Sequence, residues 1–382
     1  MNIIHISFDF PDPINPRKTK AVANLIEAQS KYQNVVFSLN RSTNIFSDYL
    51  FKKKDNIYYG RIWGLPYGIG LRISMFIAYK RIFQILKNEN IKVSLIHAHK
   101  LTFEGIVAYF LTKKLNVPFI LTFRGDTDLK LLSYKIELRH LYKKILKKSK
   151  KIIFLAPWPI NSLKNHYQSS FFENKSIVLP NIISINDSEN KNTESKRSNF
   201  LTVFHLNSYK RKNIKRLILA FSNFCEYNED VFLDIVGGGS KLSVKIINKF
   251  IENTKFPNRI RLLGEKSHIE VLKIYSSYLG FVLPSYPETF GLVFIEALNA
   301  GTPILYSKNS GIDGFFQNKK IGEKVTYTSI KEISDSLLNI YTSNEEYLCE
   351  IRSLKKTNSF EKFTFKSVSN TYVNSVIEGV KD

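Results

Sequence analysis

Short apolar runs rich in β-branched residues alternate with longer segments of helical periodicity through both halves of this chain of 382 residues. Apolar runs without polar alternation are typical of strands that helices cover on both faces, as in parallel sheets. The alternation therefore predicts an α/β protein with parallel sheets. The predicted strands are 3–7, 35–39, 94–98, 119–123 and 152–156 in the first half, and 201–206, 231–236, 261–263, 280–284 and 303–307 in the second. The clearest predicted helices are 21–32, 71–87, 134–148, 214–227, 241–252 and 290–299.

The chain is long for one hydrophobic core and suits two domains of about 150–200 residues. A polar stretch from Ser184 to Asn199, in which Ile185 is the sole apolar residue, separates the two halves. Such a stretch buries nothing and is typical of a linker. We therefore predict two Rossmann-like domains at 1–183 and 200–359, a linker at 184–199, and a C-terminal helix at 360–382 that packs back on the first domain.

The formal net charge of +23 is concentrated in the first half, where residues 1–180 hold 29 basic and 11 acidic side chains against 27 and 22 in residues 181–382. This asymmetry indicates an anionic partner. Nucleic acid, lipid headgroups and a phosphorylated acceptor are the three alternatives. The composition is globular, and no apolar run reaches the roughly 18–20 residues that span a bilayer. The N-terminus has no secretory signal, and two cysteines cannot form a disulfide framework, so we predict a cytoplasmic location.

The segment from Pro284 to Pro303 combines a buried strand end, a loop and a helix start. The predicted helix begins near Phe290 and Gly291, where free backbone N–H groups suit a diphosphate. Glu288 lies just before this helix and Glu296 in its second turn, so both carboxylates are expected at the carboxyl ends of the strands. Carboxylates there accept hydrogen bonds from sugar hydroxyls. From spacing alone, a chance pair of glutamates, one favoured by the helix dipole, is the more frequent cause of such a pattern.

The same segment resembles the signature of the retaining glycosyltransferases of family 4, which have the GT-B fold. That signature is Pro-Ser-x-x-Glu-x-Phe-Gly followed by Glu-Ala-x-x-x-Gly-x-Pro, with seven residues between the two glutamates. Further matches are Val-Gly-Gly-Gly at 236–239, Arg-Leu-Leu-Gly at 261–264 and Gly-Ile-Asp-Gly at 311–314. The resemblance implies two Rossmann-like domains facing a central cleft, a nucleotide-sugar donor, and no metal or other cofactor.

The resemblance also implies roles for residues of the second domain. Glu288 would contact the donor sugar and Glu296 the nucleotide ribose. Lys212 would neutralise the leaving diphosphate, with Arg211 as a neighbouring cation, because Asn207 stands where the family usually has an arginine. The remaining predicted donor-binding residues are Phe290, Gly291, Gly238 and Leu263.

The first domain matches the family less closely. The loop from Phe8 to Thr19 has no glycine where paired glycines are expected, and it offers Arg17 and Lys18 to an anion. Arg124 stands where many relatives have a histidine near the reacting carbon. Because arginine stays protonated, it cannot act as a general base, but it can stabilise phosphate or acceptor charge. Two interpretations of His99 are equally open. It would line the acceptor site, or it would belong with His97 to a hydrogen-bonded core.

The sequence Asp126-Thr-Asp128 has two interpretations. An Asp-x-Asp pair after a strand is able to hold a divalent cation, as in the GT-A fold. Helix N-capping is the more frequent cause of such a pair. The surrounding pattern favours the fold without a metal, so we place Asp126 with Arg17, Lys18 and His99 in the acceptor region.

Two basic amphipathic stretches, 72–92 and 134–151, are each expected to pack one apolar stripe in the core. Their cationic faces would also attract an anionic membrane. The aromatic loop 61–70 would dip toward the membrane interface or stack on an acceptor sugar.

Together these features predict a retaining, metal-independent glycosyltransferase. It would move a sugar from a UDP- or GDP-sugar to a lipid-linked saccharide in cell-surface polysaccharide synthesis, on the inner face of the cytoplasmic membrane. A nucleotide-sugar epimerase of the same fold is one alternative. A basic nucleic-acid-binding protein is the other, although the chain has no RNA-binding aromatic motif and no helix-turn-helix signature.

Overall fold

A computed structural model describes residues 1–44, 47–183 and 197–380. The chain forms two compact units, Met1–Ile182 with Phe365–Asp382, and Ile183–Thr364. The predicted linker 184–199 lies outside the described residues except for 197–199.

The first unit contains a mainly parallel sheet in the order β3-β4-β2-β1-β5-β6-β7-β8, in which β3 alone pairs antiparallel with its neighbour among the described residues. Its strands are β1 (Asn2–Ser7), β2 (Gln33–Ser42), β3 (Lys52–Lys54), β4 (Ile57–Trp63), β5 (Leu95–Ala98), β6 (Phe119–Phe123), β7 (Lys151–Phe154) and β8 (Ser176–Val178). Its helices before the second unit are α1 (Ala21–Glu27), α2 (Leu71–Asn88), α3 (Glu104–Leu115), α4 (Asp126–Tyr134), α5 (Arg139–Lys148) and α6 (Trp158–Lys164).

The second unit contains a parallel sheet in the order β11-β10-β9-β12-β13-β14. Its strands are β9 (Phe200–Val203), β10 (Leu233–Val236), β11 (Ile260–Gly264), β12 (Gly280–Leu283), β13 (Ile304–Ser307) and β14 (Gly322–Val325). Its helices are α7 (Ile214–Phe224), α8 (Lys241–Glu252), α9 (His268–Ile274), α10 (Leu292–Asn299), α11 (Ile330–Thr342) and α12 (Asn344–Lys356). None of the helices in the described ranges has the length and apolar character that crossing a membrane requires.

Helical segments cover both faces of the central strands in the first unit. One face packs against α2, α3 and α5. The other face, which includes Ile3, Leu95 and Ile120, packs against the C-terminal segment through Val368 and Tyr372. That segment consists of α13 (Phe365–Thr371), a π-helical turn (Tyr372–Ile377) and a 3-10 turn (Glu378–Val380). This double cover explains why these strands are continuous apolar runs in the sequence.

Each predicted strand overlaps an observed strand, which confirms the α/β class with parallel sheets. Two predicted helices differ most in extent from the observed ones. The helix predicted at 134–148 is divided, because α4 ends at Tyr134 and α5 begins at Arg139 after a 3-10 turn. The helix predicted at 21–32 ends at Glu27, since the chain turns there to enter β2. Helix α3 was missed because most of its residues are buried, which removes the amphipathic period.

Candidate active site

The loop between β12 and α10 is held by the two neighbouring loops of the second unit. The backbone N–H of Tyr286 donates to the carbonyl of Arg211 at 3.0 Å, and the N–H of Gly311 donates to the carbonyl of Glu288 at 2.7 Å. The N–H of Glu288 also donates to Ser310 Oγ at 2.8 Å. The strands β9, β12 and β13 are neighbours in the sheet, so their loops meet at one edge. These bonds fix the backbone that carries Glu288.

Lys212 and Glu288, 76 residues apart in the sequence, form a salt bridge at this edge. Each side chain retains 12% of its exposure, so the pair is largely shielded from water but still reachable. The Lys212 loop is set by Asn213, which has a left-handed backbone (φ 57°) and donates from its side chain to the carbonyl of Tyr327. The structure therefore brings together Lys212, predicted to neutralise the leaving diphosphate, and Glu288, predicted to contact the donor sugar.

Helix α10 begins two residues later than predicted, at Leu292. Gly291 is its N-cap and has a positive φ of 76°, and a Cβ there would lie 2.5 Å from the Phe294 ring. Phe290 is buried against Phe315 and Phe363, so only its backbone is available to a ligand. The first N–H groups of α10 have no side-chain cap, as expected of an anion-binding helix start.

Glu296 projects from the second turn of α10 and accepts a hydrogen bond from His268 Nε2 at 3.0 Å. The glutamate is mostly buried, whereas the His268 side chain is 60% exposed. His268 is the first residue of α9, whose start is fixed by a capping box between Ser267 and Glu270. His268 has no role among the residues predicted from the sequence.

Of the other predicted donor-binding residues, Arg211 and Gly238 lie on the loops after β9 and β10, and Leu263 lies near the end of β11. Gly238 accepts a hydrogen bond at its carbonyl from the N–H of Leu206 at 2.9 Å. The Arg211 and Leu263 side chains are exposed. Asn207, which replaces the family arginine, accepts from the N–H of Ser240 at 2.8 Å and so supports the start of α8. The side-chain oxygen of Asn207 is therefore used inside the unit.

In the first unit, Asp9, Lys100 and Arg124 meet at the carboxyl ends of β1, β5 and β6. Lys100 Nζ lies 2.8 Å from Asp9 Oδ1, and Arg124 Nε lies 3.6 Å from Asp9 Oδ2. Burial acts to raise the pKa of Asp9, but the charges of Lys100 and Arg124 hold it below its usual value. Arg124 Nε also donates to the carbonyl of His99 at 3.1 Å. Sequence reasoning identified Arg124 but missed Asp9 and Lys100, which belong to no motif.

The two cations predicted in the first loop have different surroundings. Arg17 is exposed. Lys18 is mostly buried, where its ammonium pairs with Asp12 at 3.1 Å and donates to Ser38 Oγ at 3.2 Å. Burial lowers the pKa of Lys18, although Asp12 acts to raise it. Lys18 therefore supports the loop itself, and Arg17 is the member of this pair that a solvent-borne anion can reach.

His99 is fully buried, so its ring does not line an open acceptor surface. Its Nε2 lies 3.1 Å from His5 Nδ1, and the ring of His97 stacks on it at 3.9 Å. His97 in turn contacts Tyr372 Oη at 2.7 Å and Thr122 Oγ1 at 2.8 Å. Of the two open interpretations, the hydrogen-bonded core is the one observed.

The fold supplies a third histidine, His5, to the His97 and His99 pair. One ring nitrogen from each of the three lies within 4.8 Å of the others, a spacing that a metal ion can use. The hydrogen bonds just described already occupy both nitrogens of His97 and link His5 to His99. The cluster is therefore assigned to the core.

The Asp126-Thr-Asp128 sequence lies at the start of α4. Asp128 is fully buried and accepts hydrogen bonds from the N–H and Oγ1 of Thr102, and from the N–H of Arg124. Asp126 is the half-buried first residue of the helix. The N-cap of α4 is Gly125, without a side-chain cap bond, so N-capping does not account for Asp128. Its oxygens instead hold the β5 and β6 loops together.

Comparison with solved structures identifies the fold. Sucrose-phosphate synthase from Thermosynechococcus elongatus superimposes with a TM-score of 0.72 at 18% identity, covering 99% of this chain and 98% of that one. The two parallel-sheet units therefore have the GT-B fold, as the sequence predicted.

Sequence comparison gives the family. A family model described as glycosyl transferases group 1 matches residues 185–353. An uncharacterised glycosyltransferase of Methanocaldococcus jannaschii is 30% identical over 275 residues, which cover 70% of this chain and 70% of that protein. The chain belongs to the group 1 glycosyltransferases. The alpha-monoglucosyldiacylglycerol synthase of Acholeplasma laidlawii is 27% identical over 191 residues, which cover 50% of this chain and 44% of that enzyme.

Proposed function

We propose that this glycosyltransferase moves a sugar, with retention of its anomeric configuration and without a metal, from a UDP- or GDP-sugar to a lipid-linked saccharide. The observation that carries the proposal is the Lys212–Glu288 pair, set beside the start of α10. An ammonium group and a helix N-terminus supply the positive field that a departing diphosphate needs, which a divalent cation would otherwise supply.

In the proposed reaction, the bond between the anomeric carbon and the diphosphate oxygen breaks, and the diphosphate leaves with the electron pair. The acceptor hydroxyl oxygen attacks the same face of the sugar, and its proton passes to the departing phosphate. Lys212 and the N–H groups at the start of α10 stabilise the negative charge that develops on this phosphate. Glu288 accepts hydrogen bonds from the sugar hydroxyls, and Glu296, oriented by His268, accepts them from the ribose.

We assign binding of the acceptor to the first unit. Arg124 and Lys100 provide positive charge beside Asp9, and Arg17 adds an exposed cation in the neighbouring loop. A phosphate-linked acceptor would be drawn to this edge. The Acholeplasma relative, a synthase of a glucosylated diacylglycerol, supports an acceptor with a lipid part. We place the enzyme on the inner face of the cytoplasmic membrane, with the basic stretches 72–92 and 134–151 toward the lipid, in cell-surface polysaccharide synthesis.

The test is a transfer assay of Lys212→Met and Glu288→Gln with a panel of nucleotide sugars and lipid-linked acceptors. Each variant is expected to lower kcat by about 100-fold or more, because the lost charge acts mainly in the transition state. Glu332→Gln, which breaks the exposed ion pair of Glu332 with Lys308 in the same unit, is the matched control and should keep its activity.

Two results would contradict the proposal. Near wild-type turnover in Glu288→Gln or Lys212→Met, at unchanged thermal stability, would remove the substituted residue from the reaction. Conversion of the donor alone, with no acceptor present, would show an epimerase rather than a transferase.

A further inference from the structure

The outward face of helix α2 is apolar over its first two turns. Ile73 is 63% exposed and Ile77 is 40% exposed, and Ile69, just before the helix, is 55% exposed. Ile73 and Ile77 are four positions apart in α2 and so lie along one side of it, whereas Met75 and Ala78 are buried in the core. Ile69 belongs to the turn that leads into the helix. A helix face that meets only water normally carries polar side chains. The exposed isoleucines of α2 therefore have no explanation in the packing of the unit.

A second segment extends this apolar surface. Tyr67 is 81% exposed, and Tyr134 and Ile136 at the end of α4 are 65% and 61% exposed. The two segments adjoin, because a Cβ on Gly68 would lie only 3.0 Å from Cε of Lys135. We call the combined surface the apolar patch; its members are Tyr67, Ile69, Ile73, Ile77, Tyr134 and Ile136. On an ordinary surface the exposed apolar residues are scattered singly, whereas the six residues of the apolar patch lie on two adjoining segments.

The surroundings of the apolar patch are cationic. Helices α2 and α5 contain no acidic residue. Of the four acidic residues on α3, α4 and the turn before α5, Glu104 and Asp128 are buried, Asp126 is half-buried, and Glu137 pairs with Lys135. The exposed basic residues on α2, α4 and α5 include Arg72, Lys80, Lys130, Arg139 and Lys143. An apolar centre with a basic margin matches an anionic bilayer surface, which offers acyl chains below and negative headgroups around.

We propose that the apolar patch inserts into the headgroup region of an anionic lipid bilayer, with the basic margin contacting the headgroups. A second copy of this chain fits less well as the occupant, because a symmetric contact would bring the two basic margins together. The proposal refines the membrane partner named above to one surface of the first unit. The membrane-binding proposal makes no use of the donor site, so it and the proposed transfer reaction can fail separately.

The experiment measures partition of the full chain onto vesicles by flotation, with phosphatidylcholine alone and with added phosphatidylglycerol. The wild type is expected to bind the vesicles that contain phosphatidylglycerol and to be released by salt. A triple variant of the apolar patch should bind at least about tenfold more weakly, because it loses the inserted apolar area. Its substitutions are Ile69→Ser, Ile73→Ser and Ile136→Ser.

The matched control removes three exposed apolar side chains of the second unit, which are 68%, 64% and 42% exposed, and it should bind as the wild type does. Its substitutions are Leu242→Ser, Ile269→Ser and Leu338→Ser. Glu288→Gln should also bind normally, which separates this result from failure of the catalytic assignment.

Three outcomes would overturn the proposal. The first is wild-type binding that does not depend on phosphatidylglycerol, and the second is a triple variant that binds like the wild type. The third is a wild-type dimer in sedimentation equilibrium that the triple variant loses, since this would make a second copy the occupant of the patch.

Discussion

The carboxyl group of Glu104, at the start of α3, is fully buried beside the charged groups of the first unit. One oxygen accepts from the N–H of Phe8 at 2.9 Å, and the other has no partner among the described residues. Burial raises the pKa of Glu104 from 4.5 to about 7, although Lys100 acts to lower it. The neutral acid is thus the preferred form inside the folded protein below about pH 7.

This raised pKa makes stability depend on pH in a defined direction. The folded protein holds the Glu104 proton more tightly than the unfolded chain does, and this adds to the free energy of unfolding. The contribution is complete below about pH 4.5. It amounts to up to about 3 kcal/mol and is lost as pH rises through about 7. Glu104→Gln stays neutral and keeps an acceptor for Phe8. Its stability relative to the wild type should rise between about pH 5 and about pH 8, as measured by urea denaturation.

The exposed Glu137 supplies the control, because Glu137→Gln lies outside the core and should show no comparable change with pH. If the difference in stability between Glu104→Gln and the wild type is the same at about pH 5 and at about pH 8, the raised pKa is contradicted.

Helix α10 depends on one glycine at its start. Gly291 combines a positive φ with contact to the Phe294 ring, whereas Gly264 at the end of β11 has nearly the same φ, 75°, and open space around its Cα. Both positions carry the backbone cost of an alanine, about 1 kcal/mol, but only position 291 carries the steric cost. Gly291→Ala should therefore lower Tm more than Gly264→Ala and should also weaken nucleotide-sugar binding, as measured by thermal shift.

Equal loss of stability in the two alanine variants would show that the Phe294 ring moves aside easily. In that case the tight start of α10 would not be the reason for glycine at position 291.

The C-terminal segment belongs to the first unit although it follows the second in the chain. Five of its buried apolar side chains cover one face of the sheet, namely Val368, Tyr372, Val376, Ile377 and Val380. Each large buried side chain contributes about 1.5–3 kcal/mol, so their sum is comparable to the stability of a whole domain. Deletion of 365–382 should yield insoluble protein or a soluble form that binds ANS strongly.

Deletion of 381–382 alone, beyond the last described residue, is the control and should leave solubility and ANS binding unchanged. A soluble and cooperatively folding protein without 365–382 would contradict the covering role of this segment.

Much of the whole-molecule plan was predictable. Apolar runs at strand length identified the central strands, since burial on both faces leaves a local trace in the sequence. The Glu-x7-Glu motif located the loop and helix that carry Glu288 and Glu296. Four observed strands, β3, β4, β8 and β14, overlap no predicted strand, because they left weaker traces in the sequence. Strand β4 alternates between buried and half-buried residues, and β8 has only three residues.

The sequence alone determined the α/β class, the motif around Glu288 and the excess of positive charge in the first half, because each is a property of neighbouring residues or of composition. Only the tertiary structure decided which distant groups meet. Strand order places β9 beside β12, which brings Lys212 to Glu288, and packing places Gly68 against Lys135, which joins two short apolar segments into one patch. Such pairings depend on strand order and helix docking, which no local pattern of residues encodes.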